Sequence, residues 1–106
     1  MEDIYGICAE AIEFYGEKHQ EDKAIEECSE LINALVKLRD GRCSVLDVIT
    51  EIADVEIMLR QLMIMFGDGA VRKEIGFKLS RLRERIDRQR RCLENTEYDF
   101  GHNVKH

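Results

Sequence analysis

Two acidic clusters carry the chemistry most legible in this chain. They are Glu26-Glu27-Cys28-Ser29-Glu30 and Glu51-Ile52-Ala53-Asp54, separated by 20 residues. With Cys28 at the centre of a helical apolar stripe, Glu27 lies about 100° to one side and Glu30 about 160° to the same side. With Ile52 at the centre of the next stripe, Glu51 and Asp54 fall at the same two angles. Two helices joined by a short loop pack antiparallel. If these stripes face each other, Glu27, Glu30, Glu51 and Asp54 stand at one edge of the seam and can converge. Four ionised carboxylates in one place repel each other and call for a cation. Hard oxygen donors suit Mg²⁺, with Mn²⁺ as a substitute, and Mg²⁺ takes substrate phosphates as further ligands. A single E-x-x-E is common on solvated helix faces, so the signal lies in two pairs at one angular offset.

The formal net charge is -6, unevenly spread. Residues 1–71 hold 6 basic and 16 acidic side chains, whereas residues 72–91 hold 9 basic and 3 acidic. An acidic chain of this kind is a poor candidate for non-specific nucleic-acid binding. An acidic region next to a basic helix can instead handle a metal and a polyphosphate together, the plainer alternative being a solvated basic face. Lys78, Arg81 and Arg85 follow i, i+3, i+7 spacing along one helix edge. Four cysteines lie far apart with no zinc-ligand spacing. Cys8 and Cys28 read as small core residues in a reducing compartment. With no apolar run long enough for a membrane span and no leader pattern, a cytoplasmic protein without a membrane partner is expected.

The elements that must position these groups are helices. The 106 residues include no Pro, and 44% of them are apolar. The expected helices are Asp3–Tyr15, Gln20–Arg39, a third running from the Ser44/Asp47 capping box to Phe66, and Ala70–Leu93. Gly16, Asp40-Gly41 and Gly67-Asp68-Gly69 punctuate them. Residues 94–106 lack periodicity and read as a flexible tail after a helical domain at 1–93. The fold class is all-α, an antiparallel four-helix bundle. On the fourth helix Val71, Ile75, Leu79, Leu82 and Ile86 are expected to face inward. Between Val55 and Phe66, nine of twelve residues are apolar. A helix apolar nearly all round needs cover on most sides, which predicts a bundle completed by homo-oligomerisation, as a homodimer or homotetramer. Within that helix Glu56 and Arg60 have the order of an i,i+4 ion pair.

The pattern EExxE, then 20 residues, then ExxD resembles the MazG-like branch of the all-α nucleoside triphosphate pyrophosphohydrolases, which also include dimeric dUTPases and dCTP pyrophosphatases. The resemblance extends through Lys23–Leu31, Ile52–Leu59 and Lys78–Leu82, covers roughly residues 12–88, and is closest to the short single-domain forms of phages and Gram-positive bacteria. It implies that Glu27, Glu30, Glu51 and Asp54 bind Mg²⁺ and that Glu26 stands behind them. It implies that Lys78, Arg81 and Arg85 hold the triphosphate. The base pocket of such enzymes is built from the first helix, the following loop and a neighbouring subunit. Here Phe14, His19 and Gln20 occupy that region, and Tyr15 stands where relatives often carry a Trp.

The reaction so implied converts a nucleoside triphosphate to the monophosphate and pyrophosphate, with Glu27 or Glu30 as general base. Two other readings compete with it: a non-catalytic helical module that binds nucleotide or a protein, and a structural metal-binding bundle. The intact acidic motifs weigh against the first alternative, and the basic helix has no purpose in the second.

Overall fold

The computed structural model describes residues 3–103, with side chains described for residues 3–96. It is all-helical: α1 (Ile4–Tyr15), α2 (Glu17–Arg39), α3 (Val45–Phe66) and α4 (Asp68–Asn103), with no strand among the described residues. No helix among them is long and apolar enough to cross a membrane. The chain divides into two compact units, Met1–Asp68 and Gly69–His106.

In the first unit, Asp3 caps α1 by accepting a hydrogen bond from the Tyr5 amide at 3.1 Å. Gly16, at φ 93°, closes α1 and opens α2. A residue with a Cβ is strained in that conformation, so a single glycine makes the whole corner. α2 therefore starts at Glu17, earlier than the expected Gln20, with Glu17 in the first turn, where an acidic residue is favourable. Ser44 and Asp47 form a reciprocal capping box at the head of α3. Asp47 accepts from the Ser44 amide at 2.9 Å, and the Asp47 amide donates to Ser44 Oγ at 3.3 Å.

α2 and α3 run antiparallel. Gln20 meets Gln61 near one end, Glu27 meets Glu51 and Asp54 midway, and the Cys43 thiol reaches the Ala34 carbonyl at the other end. α1 packs on both helices. Its fully buried Cys8 donates to the Ile57 carbonyl at 3.8 Å.

The faces in contact differ from those expected. The buried residues of α2 are Gln20, Ala24, Glu27 and Ala34, and those of α3 are Val48, Val55, Met58 and Gln61. Cys28 is only half-buried, and Ile52 is exposed. Each helix is thus turned by roughly one residue step, about 100°, from an orientation centred on Cys28 and Ile52. Small Ala24 and Ala34 let the helices approach closely. The turn leaves an apolar face outside, including Ile25 at 67%, Ile32 at 62% and Phe66 at 68% exposure.

In the second unit α4 continues past Leu93, where the sequence pattern ended it, to Asn103. Residues 104–106, the end of the expected tail, lie outside the described residues. The stripe expected to face inward is exposed at Ile75, Leu79 and Leu82 and half-buried at Val71 and Ile86. A helix that forms a unit by itself has no second surface within that unit against which to bury a stripe.

Candidate metal centre and adjoining cavities

The turn of α2 carries Glu27 into the seam, where it is only 8% exposed. One carboxylate oxygen from each of Glu27, Glu51 and Asp54 lies within 4.8 Å of the others. Glu27 Oε1 is paired with Lys23 Nζ at 3.3 Å, and the same ammonium lies 3.6 Å from Glu26. Glu27 Oε2 and Glu51 Oε2 are buried with no hydrogen-bond partner. A buried carboxylate oxygen without a donor is costly, and a cation placed among the three carboxylates relieves that cost. The donor set is all oxygen, as Mg²⁺ or Mn²⁺ requires. These residues therefore fit a hard divalent cation.

Glu30 is exposed beside this group and is not one of the three gathered carboxylates. The negative charge of Glu27 is the main cause that pushes the Glu30 carboxyl above its ordinary value. Some loss of hydration, a hydrogen bond with Glu27 and the charges of Glu51 and Glu26 act in the same direction. Glu30 and Glu51 share the wall of a cleft of about 390 Å³ with Lys37, Arg42 and Asp47. Sequence reasoning did not single out Lys37 or Arg42. They lie near the turn between the two acidic helices, and that loop position was their only signal.

A second cavity, of about 510 Å³, lies where α1 meets α2 and α3. His19 and Gln20 line it, together with Tyr15, Lys23, Glu26 and Gln61. Tyr15 and His19 stack with ring centroids 5.1 Å apart. Phe14 does not line this cavity. It is exposed, packs edge-on against Tyr15 at 4.9 Å and lines a shallower neighbouring depression. Lys23 and Glu26 connect this cavity to the carboxylates, because Lys23 both lines it and pairs with Glu27. Gln61 was also missed in the sequence. Its signal was a lone amide inside the apolar run Val55–Phe66, three residues after Met58 on the same helix face.

Lys78, Arg81 and Arg85 all lie on α4, in the second unit, and all are exposed. Glu56 and Arg60 form the expected ion pair at 3.2 Å on α3. No family model, curated protein or solved structure matches the chain.

Proposed function

We propose that the protein is a Mg²⁺-dependent nucleoside triphosphate pyrophosphohydrolase of the MazG-like type, acting in the cytoplasm on an NTP or dNTP to give the monophosphate and pyrophosphate. One observation carries the reading: Glu27, Glu51 and Asp54 converge with two buried carboxylate oxygens that lack any partner. Solvated acidic faces do not bury their oxygens in a helix seam. The adjoining cavity of about 510 Å³ has room for a base, and Lys23 marks its border with the carboxylates.

In this reading Glu27, Glu51 and Asp54 hold the cation, with Glu30 at their edge. Bound Mg²⁺ supplies charge for the phosphate oxygens and lowers the pKa of a coordinated water. Glu30 accepts the proton of the attacking water. Its place beside the three carboxylates, on the wall of the adjoining cleft, supports that role. Lys23 pairs with Glu27 Oε1, and the partnerless Oε2 would be available to a cation. Lys78, Arg81 and Arg85 stabilise charge on the leaving pyrophosphate; the sequence resemblance supports that role.

The proposal includes an antiparallel four-helix bundle completed as a homodimer or homotetramer. Its support is the outer apolar face of the α2–α3 pair, where a groove of about 400 Å³ runs along Ile25, Cys28, Ile32, Leu62 and Phe66. A pyrophosphate-release panel over the common and modified triphosphates, with and without Mg²⁺, tests the activity. Release that requires Mg²⁺ and is lost in Glu27→Gln and Asp54→Asn is the expected result. Release without Mg²⁺, or wild-type rates in either variant, overturns the assignment.

A further inference from the structure

α3 carries a second apolar seam on its outer side. Ile49, Ile52, Glu56, Leu59, Met63 and Phe66 follow one another in alternating steps of three and four residues. That spacing is the heptad repeat by which two helices pair, and here it runs for about 26 Å along the helix. The buried residues of α3, Val48, Val55, Met58 and Gln61, are not among them. Ile49, Ile52, Leu59 and Phe66 are exposed, and Met63 is half-buried. Single apolar residues scattered over a surface need no explanation, but a continuous outward stripe marks an interaction surface. Phe66 also lines the outer groove beside Ile25 and Ile32, so the seam and the groove form one apolar face.

One member of the seam is charged. Glu56 lies near its middle and accepts from Arg60 Nε, one turn on, at 3.2 Å. A polar group at a single core position of a heptad seam sets the register and orientation of the helices that pair there, at a cost in stability. With a cation one turn away, this seam complements itself in one direction only. In a parallel pair of α3 helices Glu56 faces Glu56 and Arg60 faces Arg60. In an antiparallel pair Glu56 of each copy lies opposite Leu59 and Arg60 of the other. The same register sets Ile49 opposite Phe66 and Ile52 opposite Met63, so every seam position meets another. Sliding one helix by a heptad keeps apolar layers but takes Arg60 away from Glu56. Charge and apolar spacing thus choose one alignment. It has the symmetry of an isologous interface, in which residue i contacts j and j contacts i. A guanidinium has five N–H donors, enough to hold the carboxylate of its own chain and that of a second.

We propose that the outer seam of α3 is a twofold interface with a second copy of this chain, the two helices antiparallel and Glu56 of each copy paired with Arg60 of the other. The proposal rests on the oligomer of the proposed function and not on the activity. A second copy is the occupant because the charges of the seam complement themselves, whereas a purely acidic or purely basic partner matches only one of the two. Four alternating charges at the twofold axis replace two separate ion pairs, and the aliphatic residues on either side exclude water from them. Neither Glu56 nor Arg60 belongs to the three gathered carboxylates, so the interface can be altered without removing a candidate metal ligand.

Sedimentation equilibrium at micromolar concentration tests this through mass. Wild type should weigh at least two chains, against 12.4 kDa for one. Glu56→Arg leaves two cations in each copy, and Arg60→Glu leaves two carboxylates. Each variant alone should self-associate at least about a hundredfold more weakly, because like charges then face each other across the axis. Mixed one to one, the two should recover the wild-type mass, since every cation meets a carboxylate. An ion pair confined to one chain gives no such recovery. The double exchange Glu56→Arg with Arg60→Glu should associate with itself and not with wild type, as only the antiparallel alignment requires. Ile52→Asp leaves both charges in place and should also lower the mass, which keeps the test decisive if far-UV circular dichroism shows a charge variant unfolded. A wild type that stays a single chain overturns the proposal, as do single variants of wild-type mass or a mixture without recovery. An assembled wild type without Mg²⁺-dependent pyrophosphate release refutes the enzyme reading and leaves the interface standing. Release by a single chain refutes the interface and leaves the enzyme reading standing.

Discussion

Replacing Glu51 by Gln should make the metal-free protein more stable. Glu51 contributes one of three carboxylate oxygens that lie within 4.8 Å of one another, and its Oε2 is buried without a partner. Two like charges at 4.8 Å repel by about 3.5 kcal/mol at an effective dielectric constant near 20. Glu51 and Asp54 are only half-buried, so solvent screens a large part of this. A net gain of about 1–2 kcal/mol is the working figure. The new amide also gives a donor within reach of the carboxylate group. For a chain of this size the gain corresponds to a rise in Tm of roughly 5–10 °C. The assay is a thermal melt followed by far-UV circular dichroism, first in EDTA and then across a Mg²⁺ titration. Wild-type protein should recover stability with Mg²⁺, by about 2.7 kcal/mol at a hundredfold excess over Kd. The variant should recover much less, because it lacks one ligand charge. A Glu51→Gln protein that melts at or below the wild-type temperature in EDTA would refute the repulsion argument. An undiminished Mg²⁺ shift would remove Glu51 from the metal site.

Ser44→Ala removes a helix cap and should lower stability by about 1 kcal/mol in a denaturant titration. The Ser44 amide, then its hydroxyl, hold the Asp47 carboxyl below the ordinary aspartate value of 3.8. The stabilisation from Asp47 is therefore present above that value and lost as pH falls through the lower folded one, so melts of wild type and Asp47→Ala should converge in acid. Lys78→Ala and Arg81→Ala should reduce kcat/KM by about ten- to hundredfold, against less than about twofold for Arg90→Ala. Equal losses at all three would indicate general electrostatic attraction, visible as strong salt dependence, in place of a defined phosphate site. Ile32→Asp places a charge in the outer apolar groove and should lower the mass seen by light scattering toward the 12.4 kDa of a single chain; a wild-type protein already at that mass at micromolar concentration refutes the oligomer.

The helices were legible because their punctuation is chemical. Gly16, Asp40-Gly41 and Gly67 break the pattern, and the Ser44/Asp47 box opens α3. The orientation of the helices was not legible. α2 offers two faces at heptad spacing. One is Gln20, Ala24, Glu27, Leu31 and Ala34; the other is Glu21, Ile25, Cys28, Ile32 and Leu35. Hydropathy favours the second, and the fold buries the first. Side-chain volume is consistent with that choice: the buried face of α2 carries the small Ala24 and Ala34, and that of α3 the larger Val48, Val55 and Met58. Spacing brought out three of the carboxylates, Glu27, Glu51 and Asp54, even though the assumed faces were wrong, because a similar turn of both helices carries these three into the seam; it leaves Glu30, the fourth expected, exposed at the edge. Gln61 stayed hidden because its meaning depends on Gln20, which lies 41 positions away.

The choice of face ties stability to the site. Of the eight buried residues that α2 and α3 contribute, Gln20, Glu27 and Gln61 are polar or charged. Each occupies a place where an aliphatic side chain would stabilise the hairpin more. The amides recover part of that loss through hydrogen bonds to each other and to Met58. Glu27 recovers part through Lys23, but its second oxygen, like that of Glu51, remains without a donor. A sequence shaped for hairpin stability alone would have put Ile25, Cys28 and Ile32 in the seam and turned the carboxylates toward water. This sequence does the opposite. It spends the close-packed contact on groups that can face a cation and a planar ligand, and it leaves the aliphatic residues on the outer groove. The arrangement is coherent if ligand binding and a covering partner restore what the seam gives up. It is hard to account for in a bundle whose only task is to fold.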